Sequence, residues 1–254
     1  MNRFHLKGKL ALVTGATRGI GLGAAHALAE SGANLLLAGR DKEGLERAGN
    51  ELRTITPDVH VLTFDLLQTE KIAPWLNEVF DEFGPPDVLV NSAGMSRRGL
   101  AIDISLDDWN KVLALNATAT FEVSRTFARR RIALGRGGKI INIASLMTAS
   151  TRPGTSPYTA SKGAVGQLTK VLAVEWASHG IFVNAIAPGY IDTDFNQNLV
   201  ADPAFNAWVK KRCPLGRWGS PMDIAWPIVF LASPAADFIT GQVIYVDGGW
   251  LATF

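Results

Sequence analysis

Thr14-Gly-Ala-Thr-Arg-Gly-Ile-Gly21 stands between a short apolar run and a longer, alanine-rich segment with helical spacing. In such a turn Gly15 permits the tight bend, Gly19 lets the backbone approach a pyrophosphate, and Gly21 lets helix and strand pack closely. The free N–H groups at the start of the following helix attract phosphate. A glycine triplet alone is weak evidence, but its place between strand and helix predicts a phosphate-binding turn.

Outward from this turn, apolar runs of strand length alternate with longer segments of helical periodicity. The strands are predicted at Leu10–Thr14, Asn34–Ala38, Val59–Phe64, Val88–Asn91, Ile140–Ile143, Ile181–Ala185 and Val243–Val246. The helices are predicted at Ile20–Ser31, Asp41–Arg53, Ile72–Phe83, Leu106–Arg131, Tyr158–His179 and Pro221–Leu231. This alternation predicts an α/β fold, a doubly wound parallel sheet with helices on both faces.

The chain contains no internal repeat and no long Pro/Gly linker, so we predict a single domain over residues 1–254. The segment from about residue 189 to 219 is irregular and rich in Phe and Trp. Long loops of this kind often close over a ligand, which predicts a lid on the substrate side. A surface excursion that packs two small helices on the core is the alternative.

Composition excludes several classes of protein. With 47% hydrophobic and 19% charged residues, the chain is globular and not disordered. A net charge of +2 without a long basic run speaks against nucleic-acid binding. Because no apolar stretch has the roughly 18 residues that a membrane span needs, we expect no membrane segment. The single cysteine, Cys213, forms no intrachain disulfide, and a cytoplasmic setting is expected.

The end of the second strand reports on the ribose of a bound dinucleotide. An acidic side chain there would bind the 2′-hydroxyl, but this strand ends Leu37-Ala-Gly-Arg40. Arg40, together with Arg18 of the glycine turn, offers fork-shaped guanidinium donors that suit a phosphate ester. The pattern favours NADP over NAD. The alternative is that Asp41 binds the ribose and that Arg40 is a surface residue.

A second group of residues indicates acid–base chemistry. Tyr158 and Lys162 are four apart in a helical segment and therefore share one face. A nearby ammonium would lower the pKa of the phenol toward neutral pH. Ser145 follows the fifth strand, at the strand end where ligands of parallel sheets bind. Asn116 is an unexpected amide in an apolar stretch; it either stabilises a kink in the backbone or holds a water toward Lys162.

These residues together resemble the short-chain dehydrogenase/reductase family over nearly the whole chain. Thr14–Gly21 is similar to the family's TGxxxGxG motif, and Asn91–Gly94 to its NNAG motif with serine as the second residue. Asp65 stands where the family has an acid that contacts adenine. Pro188-Gly189 and Thr193 stand where the family borders the nicotinamide.

The resemblance implies a Rossmann-type fold with seven parallel strands, a homotetramer, no metal, and two sets of site residues. The implied catalytic residues are Asn116, Ser145, Tyr158 and Lys162. The implied cofactor-binding residues are Gly15, Thr17, Arg18, Gly19, Ile20, Gly21, Arg40, Asp65, Leu66, Asn91, Ala93, Gly94, Tyr158, Lys162, Pro188, Gly189, Ile191 and Thr193. It implies that Tyr158 moves the proton, Lys162 binds the nicotinamide ribose, Ser145 polarises the carbonyl and Asn116 holds a water.

The C-terminal third looks like the gluconate 5-dehydrogenase branch of that family in the stretches Ala187–Thr193, Asp202–Trp208, Cys213–Trp218 and Val246–Gly249. A sugar acid needs cationic partners, for which Arg97, Arg98, Arg152 and Lys211 are candidates, although solvated surface charge is the alternative for each. The other functions left open are a 3-oxoacyl-[acyl-carrier-protein] reductase and a broad-specificity ketone reductase or alcohol dehydrogenase. A non-enzymatic NADP-binding sensor would not need the pair of Tyr158 and Lys162.

Overall fold

The computed structural model, which describes residues 3–253, contains a parallel sheet of seven strands in the order β3-β2-β1-β4-β5-β6-β7. The strands are β1 (Leu10–Thr14), β2 (Asn34–Gly39), β3 (Val59–Thr63), β4 (Val88–Asn91), β5 (Gly138–Ile143), β6 (Ile181–Pro188) and β7 (Val243–Val246). The predicted α/β fold with its doubly wound sheet is therefore confirmed. The strand order reverses between β1 and β4, and ligands bind outside the carboxyl ends of the strands at such a switch point.

Helices cover both faces of this sheet. They are α1 (Gly19–Glu30), α2 (Lys42–Leu52), α3 (Ile72–Phe83), α4 (Leu106–Leu113), α5 (Ala119–Ala133), α6 (Ser156–Trp176), α7 (Gln197–Val200), α8 (Pro203–Arg212) and α9 (Pro221–Ala232). None of the helices in residues 3–253 is both long and apolar enough to cross a membrane.

The buried strands explain why the sheet is covered on both sides. In β2, Leu35 and Leu37 belong to the core beneath α1, α2 and α9, whereas Leu36 belongs to the core beneath α3, α5 and α6. Successive side chains of a strand point to opposite faces, so a strand of consecutive leucines has to be covered twice. The two cores pack on opposite faces of the sheet and leave the strand ends available for a site.

The prediction of a single helix over Leu106–Arg131 is wrong in one respect. It is interrupted by a π-helical turn over Ala114–Thr118, which separates α4 from α5. Asn116 lies in this turn, and its carbonyl accepts a hydrogen bond from Thr120 Oγ1 at 2.8 Å. A π turn inserts an extra residue into a helix and is frequent at functional sites. The apolar periodicity on either side of the turn concealed it.

Smaller differences concern element ends. The strands β5 and β6 extend beyond their predicted bounds, to begin at Gly138 and to end at Pro188. Asp41 and Arg53 are the caps of α2 and lie outside it. The Asp41 carboxylate accepts a hydrogen bond from Gly44 N at 3.0 Å. The region predicted as a lid, 189–219, carries the short helices α7 and α8.

Candidate active site

A cleft of about 1180 Å³ lies at the carboxyl ends of the central strands. Its walls contain all the predicted site residues except Asn91 and Asn116: Gly15, Thr17, Arg18, Gly19, Ile20, Gly21, Arg40, Asp65, Leu66, Ala93, Gly94, Ser145, Tyr158, Lys162, Pro188, Gly189, Ile191 and Thr193. Residues from the first to the last third of the chain therefore meet at one site. Within residues 3–253, no three His, Cys, Asp or Glu side chains gather as a metal site would require.

The glycine turn has the close backbone approach that its sequence predicts. Gly15 has a φ of +67°, and a Cβ there would lie 2.8 Å from Ala93 Cα. A Cβ on Gly21 would lie only 2.2 Å from the carbonyl oxygen of Gly15. The N-cap of α1, Arg18, makes no side-chain capping bond, so the first-turn N–H groups keep their capacity for a phosphate. The turn fits a dinucleotide pyrophosphate.

The adenosine end of the cleft is cationic. Arg18 and Arg40 are exposed on its wall. Among residues 3–253, Arg18 forms one ion pair, an exposed contact of 3.4 Å with Asp194. Such a pair contributes little and leaves the guanidinium available to a phosphate. Asp41 also lines this end of the cleft, and one of its carboxylate oxygens is used as the N-cap of α2. Asp65 accepts a hydrogen bond from Leu67 N at 3.0 Å through one carboxylate oxygen.

Tyr158 and Lys162 meet on one face of α6, as their spacing predicts. The Lys162 Nζ lies 5.7 Å from the centre of the Tyr158 ring and donates a 2.5 Å hydrogen bond to the Ile143 carbonyl at the end of β5. Ser145 follows that strand, and its Oγ accepts a hydrogen bond from Met147 N at 3.1 Å. The strand end and the helix thus place a hydroxyl, a phenol and an amine around one point of the cleft.

The electrostatics of this group differ from the expectation. Burial raises the pKa of Tyr158, and a hydrogen bond from Ser145 and the charge of Arg98 oppose this effect. The expected lowering by the Lys162 ammonium is not what offsets burial in this structure. Burial also lowers the pKa of Lys162 from 10.5 to about 8. Because a low-dielectric site disfavours charge, both groups are brought toward neutral forms.

Asn91, predicted to bind the cofactor, does not line the cleft. Its side chain is buried and donates 2.9 Å hydrogen bonds to Ser124 Oγ and to Asn142 Oδ1. The physical reason is that β4 turns this side chain into the layer between the sheet and α5. The buried amide must be satisfied there, and it cross-links β4 to β5.

Asn116, predicted as catalytic, is also buried outside the cleft wall. Its Oδ1 accepts from Met95 N at 2.8 Å, and its Nδ2 donates to Met95 O and to Ser161 Oγ, each at 2.9 Å. The side-chain amide has therefore used both of its donors on protein atoms. It ties the loop after β4 to α6 from within the π turn.

Two arginines lie on the cleft wall near its tyrosines. Arg98 and Arg152 both line the cleft. The charge of Arg98 acts on Tyr158 and Tyr190, whereas that of Arg152 acts on Tyr190. Burial and the proximity of Arg152 lower the pKa of Arg98. Neither arginine has an ion-pair partner among residues 3–253. Two adjacent cations without an acid between them make this end of the cleft a place for an anion.

The other two carboxylate candidates differ. Arg97 is on the cleft wall, but its Nε donates to Asp108 Oδ1 at 2.9 Å. Lys211 lies on α8 and does not line the cleft. Sequence reasoning did not single out Tyr190 or Phe195; both line the cleft, and the Phe195 ring centre is 5.8 Å from that of Tyr158. The aromatic enrichment of the predicted lid was the signal that could have found them.

Comparison with known proteins gives consistent matches over nearly the whole chain. The family model described as "Enoyl-(Acyl carrier protein) reductase" matches residues 15–251. The gluconate 5-dehydrogenase of Gluconobacter oxydans is 42% identical over 97% of this chain and 96% of its own length. The 2-dehydro-3-deoxy-D-gluconate 5-dehydrogenase of Dickeya dadantii is 44% identical over 99% of both chains.

A solved structure shows the same likeness in three dimensions. The gluconate 5-dehydrogenase of Burkholderia cenocepacia, in complex with NADP and tartrate, superimposes with a TM-score of 0.95 at 40% identity, over 100% of this chain and 99% of the other. The cleft at the strand ends, the glycine turn and the matched length lead to one conclusion. This chain belongs to the short-chain dehydrogenase/reductase family.

Proposed function

We propose that this protein is an NADP-dependent oxidoreductase that transfers a hydride between nicotinamide and a ketone or secondary alcohol of a sugar acid. The observation that carries the substrate class is the pair Arg98 and Arg152, which line the cleft without an ion-pair partner among residues 3–253. The charge of Arg98 acts on Tyr158, and that of Arg152 acts on the neighbouring cleft residue Tyr190. Guanidinium groups bind a carboxylate through charge-assisted, often bidentate hydrogen bonds. The relative from Burkholderia cenocepacia, whose structure holds NADP and tartrate, supports this proposal.

The residues present suit NADP. The glycine turn and the first turn of α1 would hold the pyrophosphate, Arg18 and Arg40 the 2′-phosphate, and Asp65 the adenine. Leu66, Ala93, Gly94, Pro188, Gly189, Ile191 and Thr193 would line the remainder of the cofactor. When bound, the cofactor supplies or accepts the hydride. Asn91 would act only from beneath the site, through the layer that it cross-links.

The chain's own groups would handle the proton. Tyr158 donates it to the carbonyl oxygen in reduction and accepts it in oxidation. Ser145 donates a hydrogen bond to the same substrate oxygen and orients it. Lys162, anchored on the Ile143 carbonyl, binds the nicotinamide ribose beside the phenol. Asn116 is proposed as a positioning residue, because its side chain holds the Met95 backbone from which the Arg98 loop continues.

The sugar-acid assignment is preferred over the alternatives for a physical reason. A carrier-protein substrate or a simple ketone brings no free carboxylate into the cleft, and the half-buried Arg152 would then stay without an anionic partner. An oxidation assay of NADPH with 5-ketogluconate, acetoacetyl thioesters and simple ketones tests the assignment. We expect the acid to be turned over with the highest kcat/KM.

Replacement of Arg152 is expected to weaken the binding of acid substrates but not that of neutral ones. Arg152→Met should raise the KM for 5-ketogluconate by about 10- to 100-fold, because a charge-assisted hydrogen bond contributes roughly 1.5–3 kcal/mol. The KM for a neutral ketone should stay within about twofold. Steady-state kinetics with both substrates measures the difference.

The matched control is Lys211→Met, which removes a cation from α8 outside the cleft and should leave both KM values unchanged. If Arg152→Met raised the KM of acid and neutral substrates equally, or of neither, the carboxylate role would be wrong.

We further propose a homotetramer, built in part on the exposed faces of α5 and α6. Val174 is 81% exposed and Val171 is 46% exposed. They border an open apolar depression with Phe121 and Leu168. Val174→Arg should reduce the mass of the particle measured by light scattering, because a charge cannot be buried there without a partner. A wild-type protein that is monomeric at micromolar concentration would contradict this proposal.

Two further parts of the proposal concern the chain as a whole. The region 189–219 is proposed as a lid of a single catalytic domain, since it places Tyr190, Phe195 and Leu199 on the cleft wall. A cytoplasmic location is proposed because a reducing compartment suits both the lone thiol of Cys213 and NADPH-dependent reduction.

A further inference from the structure

The side chain of Arg152 is supported by an aromatic ring and not by an acid. Its guanidinium carbon lies 4.8 Å from the centre of the Phe205 ring, and Thr155 Oγ1 donates to its backbone carbonyl at 2.6 Å. No carboxylate among residues 3–253 forms an ion pair with it. The guanidinium of Arg152 therefore remains available to a ligand, while one face of its plane lies over the Phe205 ring.

Phe205 is itself held firmly, from two directions. Asp202 caps α8 and accepts hydrogen bonds from Ala204 N at 3.0 Å and from Phe205 N at 3.2 Å. The Phe205 ring lies 5.7 Å from that of Tyr190, 5.1 Å from that of Trp208 and 6.4 Å from that of Trp218. These contacts hold the ring beside Arg152.

The same aromatic cluster is tied to the rest of the lid. Trp218 Nε1 donates to Asn206 Oδ1 at 3.2 Å, and Asn206 Nδ2 donates to the Val200 carbonyl at 3.1 Å. Tyr190 lies at the centre of the cluster and on the cleft wall. Because Phe205 lies on α8, its ring contact links the position of α8 to that of the Arg152 guanidinium.

From this geometry we propose that Phe205 is a positioning residue, which holds Arg152 in the orientation that binds the carboxylate of the substrate. The inference rests on the proposed function, in which Arg152 binds that carboxylate. A side chain as flexible as arginine loses less freedom on binding when a ring has already ordered it. The ring thus affects the affinity for acids and leaves the chemistry at Tyr158 unchanged.

The test compares two substitutions at this position. Phe205→Leu keeps the apolar bulk but removes the ring face, whereas Phe205→Tyr keeps the face. We expect Phe205→Leu to raise the KM for 5-ketogluconate about fivefold, with kcat and the KM for a neutral ketone each within about twofold. Phe205→Tyr should keep the wild-type KM. If Phe205 only filled space with an exact shape, this result would not be expected.

A matched control exists at the opposite end of the sheet. Phe182, at the start of β6, also carries a cation over its ring, with Lys139 Nζ at 4.0 Å from the centre. Phe182→Leu should leave every kinetic constant unchanged. Thermal melting of each variant with NADP present verifies that the lid substitutions leave the fold intact.

A double-mutant cycle decides whether Phe205 acts through Arg152. In an Arg152→Met background, Phe205→Leu should have no further effect on the KM for the acid. An equal KM rise in both backgrounds, or an equal rise for acid and neutral substrates, would overturn the inference.

Failure of the proposed function looks different. If Arg152→Met leaves the acid KM unchanged, the carboxylate role itself is wrong. If Arg152→Met raises this KM and Phe205→Leu does not, only the positioning role of Phe205 is wrong. Should 5-ketogluconate be turned over too slowly for kinetics, binding of tartrate to the NADP-loaded protein by calorimetry replaces KM, with the same ranking of variants expected.

Discussion

Phenylalanine in place of Tyr158 is expected to reduce kcat about a thousandfold while the Kd for NADPH stays within about twofold. The substitution removes one oxygen atom, that of the phenol on the cleft wall beside Ser145 and Lys162. Without it, the alkoxide that forms on hydride transfer has no proton donor at hand. The ring itself keeps its contact with Phe195, at 5.8 Å between centres, so the shape of the cleft is retained.

Stopped-flow NADPH oxidation and fluorescence titration of NADPH separate these two effects. Tyr245→Phe is the matched control, because Tyr245 lies in β7 and not on the cleft wall. Wild-type turnover by the Tyr158→Phe variant would refute the assigned role. Loss of NADPH affinity in parallel with kcat would mean that the hydroxyl binds the cofactor instead of moving a proton.

Methionine in place of Lys162 is expected to produce an inactive protein that is more stable than the wild type at pH 7. Activity should fall at least about a hundredfold, since the amine beside Tyr158 and its ribose contact are lost. The stability gain follows from burial. Lys162 is only 5% exposed, and burial lowers its pKa from 10.5 to about 8. A depression of that size corresponds to roughly 3 kcal/mol of unfavourable free energy.

The net gain is smaller, because the hydrogen bond from Lys162 Nζ to the Ile143 carbonyl is lost as well. An unpaired buried carbonyl costs about 1–3 kcal/mol, so we expect a net stabilisation of about 1 kcal/mol. Catalytic groups that are costly to bury commonly show this trade between activity and stability.

The pH dependence of the unfolding free energy follows from the direction of this pKa shift. Between pH 8 and 10.5 the unfolded chain binds more protons at this position than the folded protein, so wild-type stability rises with pH there. Below pH 8 the amine is protonated in both states and the full cost of burying it remains. The advantage of Lys162→Met should therefore be largest below pH 8 and disappear as the pH approaches 10.5.

Urea unfolding at a series of pH values, with the Lys139→Met variant as a control, checks this behaviour. Lys139 reaches a carboxylate of Asp237 at 2.7 Å, so its removal should not stabilise the protein. A Lys162→Met protein that is less stable than the wild type at every pH would show that the carbonyl bond outweighs the burial of the amine.

The sequence predicted most of the site because local motifs stand at strand ends. The glycine turn, Ser145 and the pair Tyr158 and Lys162 each follow or begin an element whose apolar pattern is visible. In a parallel sheet these ends meet at one edge. Asn91 and Asn116 were less predictable, because a motif gives the residue type and not the direction of its side chain. Both amides point into buried hydrogen-bond networks.

By itself, the sequence determined the α/β class, the seven strands, the phosphate turn and the shared helix face of Tyr158 and Lys162, since each depends on periodicity or on spacing within one element. Only the tertiary structure decided which arginines of the cleft lack an ion pair among residues 3–253 and which are paired. It also decided the π turn at Asn116 and the contact of Phe205 with Arg152. These features join residues far apart in the chain, and long-range packing leaves no local pattern in the sequence.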